Sequence, residues 1–404
     1  MEMLDIGKRI AQLRKSKDMT QAQLAQRLDV SDRAVSKWEN GSGLPDITVF
    51  PRLASVFGVS IDYLMLGSRT GIAIAGNIIA DVVKNIQEFP KLGMLSQISE
   101  VLPAVGGCVP NTAIDLAKID GSIPIRVAGR IGSDENGHFI LSKMQKMGID
   151  TQNVSVSKTS ATSFSDVMSM PTGERTFFHK KGANEEFSPE DIDLATLNCS
   201  MLHIGYILLL DQFDAPDPTY GTRMAAFLHK AQQLGIKTSI DVVSDSSADY
   251  GKTIIPALKY CDYVIINEIE CSGIWQMDPI RPDGSVDAQI LRQAMEKTAQ
   301  AGVKSKVIVH CKQYGLILDV PTGSFTQVAS LKIPPELIKG SVGAGDAYCA
   351  GCLYGLYNHY TDRQILEFAS ISAASSLFAA NSVDGMRSLD ELMAMATQFE
   401  RLPL

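Results

Sequence analysis

The stretch from Gly340 to Gly351, GSVGAGDAYCAG, constrains the fold more than any other part of the chain. Gly343 and Gly345 let the backbone turn tightly near a ligand, and the small residues after them predict a helix. The first N–H groups of that helix, and its positive dipole end, would face an anion such as a phosphate. Asp346 could then accept a proton from a hydroxyl that attacks the phosphate. A plain glycine-rich turn with Asp346 as a helix-start residue is the alternative.

Length and composition predict an ordinary multidomain protein. A chain of 404 residues suggests two or three domains, and 45% apolar with 20% charged residues is typical of globular proteins. The first nine residues are too charged for a signal peptide, and no apolar run could span a bilayer. Seven cysteines without a scaffold spacing indicate reduced thiols, so we expect a cytoplasmic location. Cys349 and Cys352 form one CxxC spacing without a second pair, which predicts helix packing.

The charges divide the chain into two unlike parts. Residues 1–70 hold ten Lys and Arg against eight Asp and Glu, whereas the whole chain has a net charge of −8. A mildly basic head on an acidic body suggests partners of two different kinds. We place an all-α head at residues 1–66, a short linker at 67–70 and the body at 71–404.

Three short helices are predicted in the head. The first follows from apolar residues at helical spacing, and Thr20 and Ser31 can cap helices over Gln21–Leu28 and 32–40. Two helices joined by a tight turn describe a helix-turn-helix. The predicted core residues of the head are Ile6, Ile10, Leu13, Leu24, Leu28, Val35, Trp38, Leu53, Val56 and Leu64.

The head resembles the Cro/repressor-type helix-turn-helix family through TQAQLA from Thr20 and VSDRAVSKWENG from Val30. The resemblance implies that the third helix enters the major groove of double-stranded DNA and that a dimer reads a two-fold site. Arg33 could bond both acceptors of a guanine, and Gln21 could meet a phosphate. A small helical protein-interaction module is the alternative. The candidate DNA-binding residues are Gln21, Arg33, Ser36 and Lys37.

The body alternates short apolar runs with helical patterns, which predicts an α/β fold with a doubly wound, mainly parallel sheet. A hairpin is predicted from 163–170 and 176–179, with a turn at 171–173, and it could serve as a lid. We place this small β lid within about 77–105 and 161–184. The predicted strands of the main sheet are 72–75, 125–127, 201–204, 238–240, 263–266, 307–309 and 316–318.

Five motifs occur in the body in one order: GNIIAD from Gly76, GGCVPN from Gly106, GAN from Gly182, NEIE from Asn267 and GAGD from Gly343. Together they resemble the PfkB/ribokinase family of sugar and nucleoside kinases. The resemblance implies a ribokinase-like fold and transfer of a phosphoryl group from ATP, with Mg²⁺, to a hydroxyl of a sugar or sugar-like substrate.

The resemblance also implies roles for individual residues. Asp346 would be the catalytic base, and the amides of Gly343, Ala344 and Gly345 would hold the transferring group. Glu270 would act on the magnesium shell. The implied substrate-binding residues are Asp81, Gly106, Gly107, Asn111 and Asn184. The implied nucleotide- or phosphate-binding residues are Asn267, Lys312 and Gly385.

Two departures from the family pattern leave alternatives open. Gly340 and Ser341 stand where the family usually has Asp and Thr, so activation by a monovalent cation is left open. His310-Cys311-Lys312 replaces the usual Thr-x-Gly, and Lys312 could pair with ATP phosphates or displace the nucleotide. Two functions therefore remain: an ATP-dependent sugar kinase with a DNA-binding head, or a catalytically weak or inactive sugar-sensing transcription factor.

Overall fold

A computed structural model describes residues 3–59, 61–67, 69–170, 175–244 and 250–404. The turn predicted at 171–173 lies outside these residues. No helix in the described part of the chain is long and apolar enough to cross a membrane. The helices are α1 (Met3–Ser16), α2 (Gln21–Leu28), α3 (Asp32–Glu39), α4 (Phe50–Phe57), α5 (Ile61–Leu66), α6 (Cys108–Ile119), α7 (Glu135–Lys146), α8 (Asp211–Asp214), α9 (Arg223–Gln233), α10 (Tyr250–Leu258), α11 (Glu268–Gly273), α12 (Ala288–Gln300), α13 (Ala344–Tyr357), α14 (Asp362–Ser376) and α15 (Leu389–Met395).

The strands form one large sheet, one small sheet and a two-stranded ribbon of β9 and β10. Their bounds are β1 (Ile72–Gly76), β2 (Ile79–Ile86), β3 (Ile98–Gly106), β4 (Ile125–Gly132), β5 (Asp150–Ser157), β6 (Ser163–Ser169), β7 (Arg175–Lys180), β8 (Met201–Ile207), β9 (Pro216–Asp217), β10 (Gly221–Thr222), β11 (Lys237–Val242), β12 (Tyr263–Asn267), β13 (Lys306–His310), β14 (Tyr314–Asp319) and β15 (Ser324–Ala329).

In the described residues of the head there are five helices, and side-chain caps begin two of them. The Thr20 hydroxyl accepts a hydrogen bond from the Gln23 N–H, and the Gln23 side chain accepts one from the Thr20 N–H. The Ser31 hydroxyl accepts from the Ala34 N–H at the start of α3. All ten apolar residues predicted for the head core lie in its buried cluster or pack against it. The predicted helical head is confirmed.

The large sheet has the order β15-β14-β13-β12-β11-β8-β1-β4-β5. Among the strands that the structure describes, β13 through β5 pair in parallel, and β14 and β15 join as antiparallel strands. Because side chains alternate along a strand, Ile72 and Ile74 of β1 enter one core while Ala73 and Ala75 enter the other. Helices therefore cover both faces, as the sequence predicts.

This topology brings distant segments together at one edge of the sheet. Strand β1 has β4 and β5 on one side in the sheet, and β8 and β11 on the other. Parallel strands end at the same edge, and ligands of open α/β sheets bind there, near the point where the strand order reverses. The ends of β8, β11, β12 and β13 lie at this edge and contribute lining residues to one cavity.

The small sheet has the order β3-β2-β6-β7 and comes from the two segments that we assign to a lid. The predicted hairpin is confirmed, because β6 and β7 pair antiparallel. Strand β6 also pairs in parallel with β2, so Asp81 of β2 lies between Ala104 of β3 and Ser165 of β6. That this sheet closes over a ligand stays a prediction.

The head contacts the body directly. Arg69 donates one hydrogen bond to the Leu194 carbonyl, at 3.2 Å, and another to the Tyr63 hydroxyl, at 3.1 Å. Ala195 of the body is buried in the head core. The short linker is therefore reinforced by polar and apolar contacts on both sides.

Candidate functional site

Asp346 lies in the first turn of α13 and is 5% exposed. The Asn111 amide donates to its Oδ2 at 2.9 Å, and the Tyr206 hydroxyl lies 2.7 and 2.9 Å from its two oxygens. Burial raises the pKa of Asp346, and the hydrogen bonds from Asn111 and Tyr206 act in the opposite direction. The carboxylate is thus fixed in place and more basic than an exposed aspartate.

Ser382 contacts both Asn111 and Gly343, next to Asp346. Gly343 precedes α13 with a φ of 79°, and a Cβ there would lie 2.5 Å from the Ser382 Cβ. The Ser382 hydroxyl lies 2.8 Å from the Asn111 Oδ1, which accepts from it. A glycine is therefore needed at position 343 for two reasons. It allows the tight turn, and it leaves room for Ser382, which orients Asn111.

An acidic cavity of about 310 Å³ opens beside the glycine turn, lined by Asp346, Asp241, Asn267 and Glu270 among others. Glu270 accepts hydrogen bonds from the Asn267 N–H at 2.9 Å and the Ser244 hydroxyl at 2.8 Å, and burial raises its pKa to about 7. The pKa of Asp241 is raised by burial and then by the charges of Glu270 and Asp346. A cavity that holds the carboxylates of Asp241, Glu270 and Asp346 suits a hard cation such as Mg²⁺.

A second cavity, of about 510 Å³ and mostly apolar, meets the acidic one at the glycine turn. Gly345 and His310 line both cavities. A Cβ on Gly345 would find only His310, at 3.8 Å, so the space above this glycine is open. Lys312 is exposed and lies at the apolar cavity. A ligand with a flat apolar part and a chain of phosphates fits this pair of cavities.

Among the residues predicted to bind the acceptor, Asn111 holds Asp346 through its amide, and its contact with a substrate stays a prediction. Asp81 lies close to Gly106, because a Cβ on that glycine would collide with the Asp81 carboxylate. Gly107 starts α6 with a φ of 82°. Asn184, in contrast, is fully buried, and its amide exchanges hydrogen bonds of 3.2 and 3.3 Å with the backbone of Ile78. It holds the segment between β1 and β2, and its contact with a substrate stays a prediction.

Gly385 packs against the end of α14. Its carbonyl accepts a hydrogen bond from the Ser375 hydroxyl at 2.7 Å, and a Cβ on it would lie 2.6 Å from the Ser375 carbonyl oxygen. It is not among the residues that line the apolar cavity. This close packing explains the glycine, and a nucleotide contact by Gly385 stays a prediction.

Four residues at this site were not found from the sequence. Tyr206 and Asp241 lie just beyond predicted strands, so the carboxyl-end rule for parallel sheets could have pointed to them. His310 was noted only as a departure from a motif, yet it lines both cavities and stacks on Tyr348 with ring centroids 4.6 Å apart. Ser382 carries no signal in the sequence, because only the fold brings it to Asn111.

The candidate DNA-binding residues lie on α2 and α3. Arg33 and Lys37 are exposed on α3, and Ser36 is half-buried. Gln21 donates to Glu39 at 2.8 Å, and Glu39 is also paired with Arg14 at 2.6 Å. In this structure Gln21 therefore links α2 to α3, and its phosphate contact stays a prediction.

Known families account for nearly all of this architecture. The profile of the pfkB family carbohydrate kinases matches residues 69–387. The chain belongs to this family. A helix-turn-helix profile matches residues 10–64. The protein is therefore a pfkB-family carbohydrate kinase with an N-terminal helix-turn-helix domain, and both resemblances seen in the sequence are confirmed.

The relatives of this chain include sugar kinases and a transcriptional activator. The chain is 24% identical over 300 residues to a 5-dehydro-2-deoxygluconokinase of Shouchella clausii, covering 73% of this chain and 86% of that one. It is 31% identical over 129 residues to the HTH-type transcriptional activator BcrR of Enterococcus faecalis, covering 31% and 63%. An Arabidopsis thaliana ribokinase solved with ribose and ATP shares the fold at a TM-score of 0.67 and 20% identity, covering 81% and 99%.

Proposed function

We propose that this chain transfers a phosphoryl group from ATP to a hydroxyl of a sugar or sugar-like acceptor, with Asp346 as the base. The observation that carries the proposal is the position of this buried carboxylate, hydrogen-bonded by Asn111 and Tyr206, beside the turn where the acidic and apolar cavities meet. Asp346 takes the proton of the acceptor hydroxyl while that oxygen bonds to phosphorus and the bond to the leaving phosphate oxygen breaks.

The residues around Asp346 position the reactants and balance charge. The N–H groups at Gly343, Ala344 and Gly345 face the transferred group at the start of α13. Asp81, Gly106 and Gly107 bind acceptor hydroxyls. When bound, ATP supplies the phosphoryl group and magnesium offsets the charge of the phosphates. Glu270 and Asn267, together with the newly found Asp241, hold the magnesium shell, and Lys312 contacts the nucleotide.

A panel assay tests this function. Full-length protein, ATP and Mg²⁺ are combined with 5-dehydro-2-deoxygluconate, ribose, ribose 1-phosphate, fructose and several nucleosides, and phosphorylated product is detected directly. We expect one acceptor class to be phosphorylated and Asp346→Asn to abolish it. Absence of product with every acceptor would favour the alternative, a ligand-binding regulator without turnover.

We further propose that the head binds an operator as part of a dimer, and that the protein acts in the cytoplasm, where ATP and DNA are both present. A single mildly basic head binds DNA weakly, whereas two heads read two half-sites. Apolar side chains exposed on the small sheet and on the loop between β2 and β3 support a contact between two copies of this chain. They are Phe89, Leu92, Met94, Leu95, Ile98, Val101, Leu102, Phe177 and Phe178.

Sedimentation of the full chain tests the dimer. Val101→Lys places a charge among the exposed apolar side chains of β3, and we expect it to yield monomers and to weaken operator binding. Met393→Lys, on the exposed face of α15, is the matched control and should sediment like the parent chain. A Val101→Lys variant that remains dimeric contradicts this interface.

The direct contact of Arg69 with both Tyr63 and Leu194 supports a second proposal, that acceptor binding changes operator affinity. Allosteric coupling of this kind typically changes affinity about 5- to 150-fold. Operator binding is measured with and without the acceptor, in the parent chain and in Arg69→Ala. An affinity that the acceptor leaves unchanged in the parent chain contradicts sugar-linked regulation.

A further inference from the structure

A second group of metal-ligating side chains lies at the floor of the acidic cavity. His203 of β8, Asp241 of β11 and Cys349 of α13 each offer one ligand atom, and these atoms all lie within 4.8 Å of one another. His203 and Cys349 are buried, whereas Asp241 is half-buried. Cys349 and Asp241 both line the cavity. Three donors of three chemical types therefore converge from three separate elements.

The spacing of these atoms suits a tetrahedral site. The Cys349 sulfur lies 3.4 Å from the His203 Nε2. In tetrahedral zinc sites the bond lengths place sulfur and nitrogen ligands roughly 3.6 Å apart. The sulfur also lies 4.0 Å from Nδ1, that is, beside the ring, so a metal on the Nε2 lone pair requires the Cys349 side chain to turn toward it. The Asp241 carboxylate offers the third ligand atom, within 4.8 Å of the other two.

The second nitrogen of the imidazole has a partner that orients the ring. His203 Nδ1 lies 2.9 Å from the Ser239 hydroxyl oxygen. In the tautomer that a metal requires, Nδ1–H donates to Ser239 and Nε2 keeps its lone pair, an arrangement common to ligating histidines.

We propose that His203, Asp241 and Cys349 bind a thiophilic divalent cation of the zinc type, with its fourth position open to the acidic cavity. Thiolate, imidazole and carboxylate together suit Zn²⁺, whereas Mg²⁺ prefers oxygen ligands alone. Zinc binds cysteine as the thiolate, so its binding here displaces the thiol proton.

Asp241 belongs both to the proposed zinc site and to the carboxylates of the acidic cavity, so zinc binding should affect magnesium binding. A cation held by His203 and Cys349 withdraws the Asp241 carboxylate from the magnesium side of the acidic cavity. Zn²⁺ would then inhibit phosphoryl transfer. This consequence rests on the proposed function, whereas zinc binding itself does not, so binding is measured without ATP or acceptor.

Metal-free full-length protein is titrated with Zn²⁺ against a chromogenic chelator and, in parallel, with Co²⁺ while thiolate-to-metal charge-transfer absorption is recorded. We expect one equivalent of metal and a charge-transfer band. In Cys349→Ser the band should disappear and zinc affinity should fall about tenfold or more. Cys352→Ser is the matched control, because this buried thiol of the same helix lies outside the cluster, and it should bind like the parent chain.

Circular dichroism shows whether Cys349→Ser folds. If it does not, His203→Gln and Asp241→Asn are used in its place. Each should weaken zinc binding while the other cysteines remain in place. A parent chain that binds no stoichiometric zinc overturns the proposal. Equal zinc affinity in the parent chain and in the folded cluster variants overturns it as well.

Discussion

The head and the body hold their candidate functional residues in opposite ways. In the head, Arg33 and Lys37 are exposed on one helix and lie four residues apart in the chain. In the body, Asp346 is buried and hydrogen-bonded to Asn111 and Tyr206, which lie 235 and 140 residues away. Recognition in the head thus depends on a local surface, whereas chemistry in the body depends on long-range packing. Substitutions in the two regions should have separable effects.

Asp346→Asn should produce the largest difference between the effect on kinase activity and the effect on operator binding. An amide cannot take the acceptor proton, so kcat should fall about 10²- to 10⁴-fold while operator affinity is unchanged. Steady-state kinetics and DNA binding are measured on the same preparation. Asp283→Asn, in an exposed loop, is the control and should keep full activity. Activity within a few-fold of the parent chain in Asp346→Asn would show that another group is the base.

Arg33→Ala should produce the reverse pattern. Loss of a bidentate contact to a base costs about 1–3 kcal/mol, which weakens binding to a selected operator about 10- to 100-fold. Lys37→Ala should instead weaken binding to all sequences and reduce the salt dependence. Binding is measured at several salt concentrations, and kinase activity should not change. A loss of kcat in Arg33→Ala would break the separation between head and body.

Substitution of Gly343 should lower stability, whereas substitution of Gly345 should mainly weaken ATP binding. Gly343→Ala places a side chain at positive φ and 2.5 Å from the Ser382 Cβ, so we expect a loss of about 2 kcal/mol in the free energy of unfolding. Gly345→Ala adds a methyl group in open space and should change stability by less than about 1 kcal/mol. Its KM for ATP should nevertheless rise, because the methyl group occupies the cavity junction. Thermal melts and kinetics compare the two variants, and equal destabilisation contradicts the geometry.

Tyr206→Phe should shift the pH profile. Burial raises the pKa of Asp346, and the Tyr206 hydrogen bond opposes that rise, so its removal raises the pKa further. A base must be deprotonated, so activity is lost as pH falls through this pKa. The acid limb of kcat/KM should therefore move to higher pH, by about one unit. Tyr220→Phe is the control, and an unmoved acid limb in Tyr206→Phe would assign the limb to another group.

Features that depend on local sequence patterns could be predicted, whereas contacts that depend on long-range packing could not. The caps at Thr20 and Ser31 and the apolar strands of the sheet follow from short-range periodicity, so helices and strands were found. The position of Asp346 after a glycine turn was equally visible. Asp241 and Glu270 line the same cavity because β11 and β12 are neighbours in the sheet, and the sequence does not reveal that strand order. Asn184 was assigned to the acceptor from its motif alone, and the motif could not reveal its bonds to Ile78.

A structure with an acceptor sugar and a non-hydrolysable ATP analogue tests the central claim most directly. We predict an acceptor oxygen within about 3.2 Å of an Asp346 carboxylate oxygen, with the terminal phosphate at the amides of Gly343 to Gly345. The nucleotide base should occupy the apolar cavity beside Lys312. An acceptor bound away from Asp346, or phosphates held elsewhere than at the glycine turn, would contradict it.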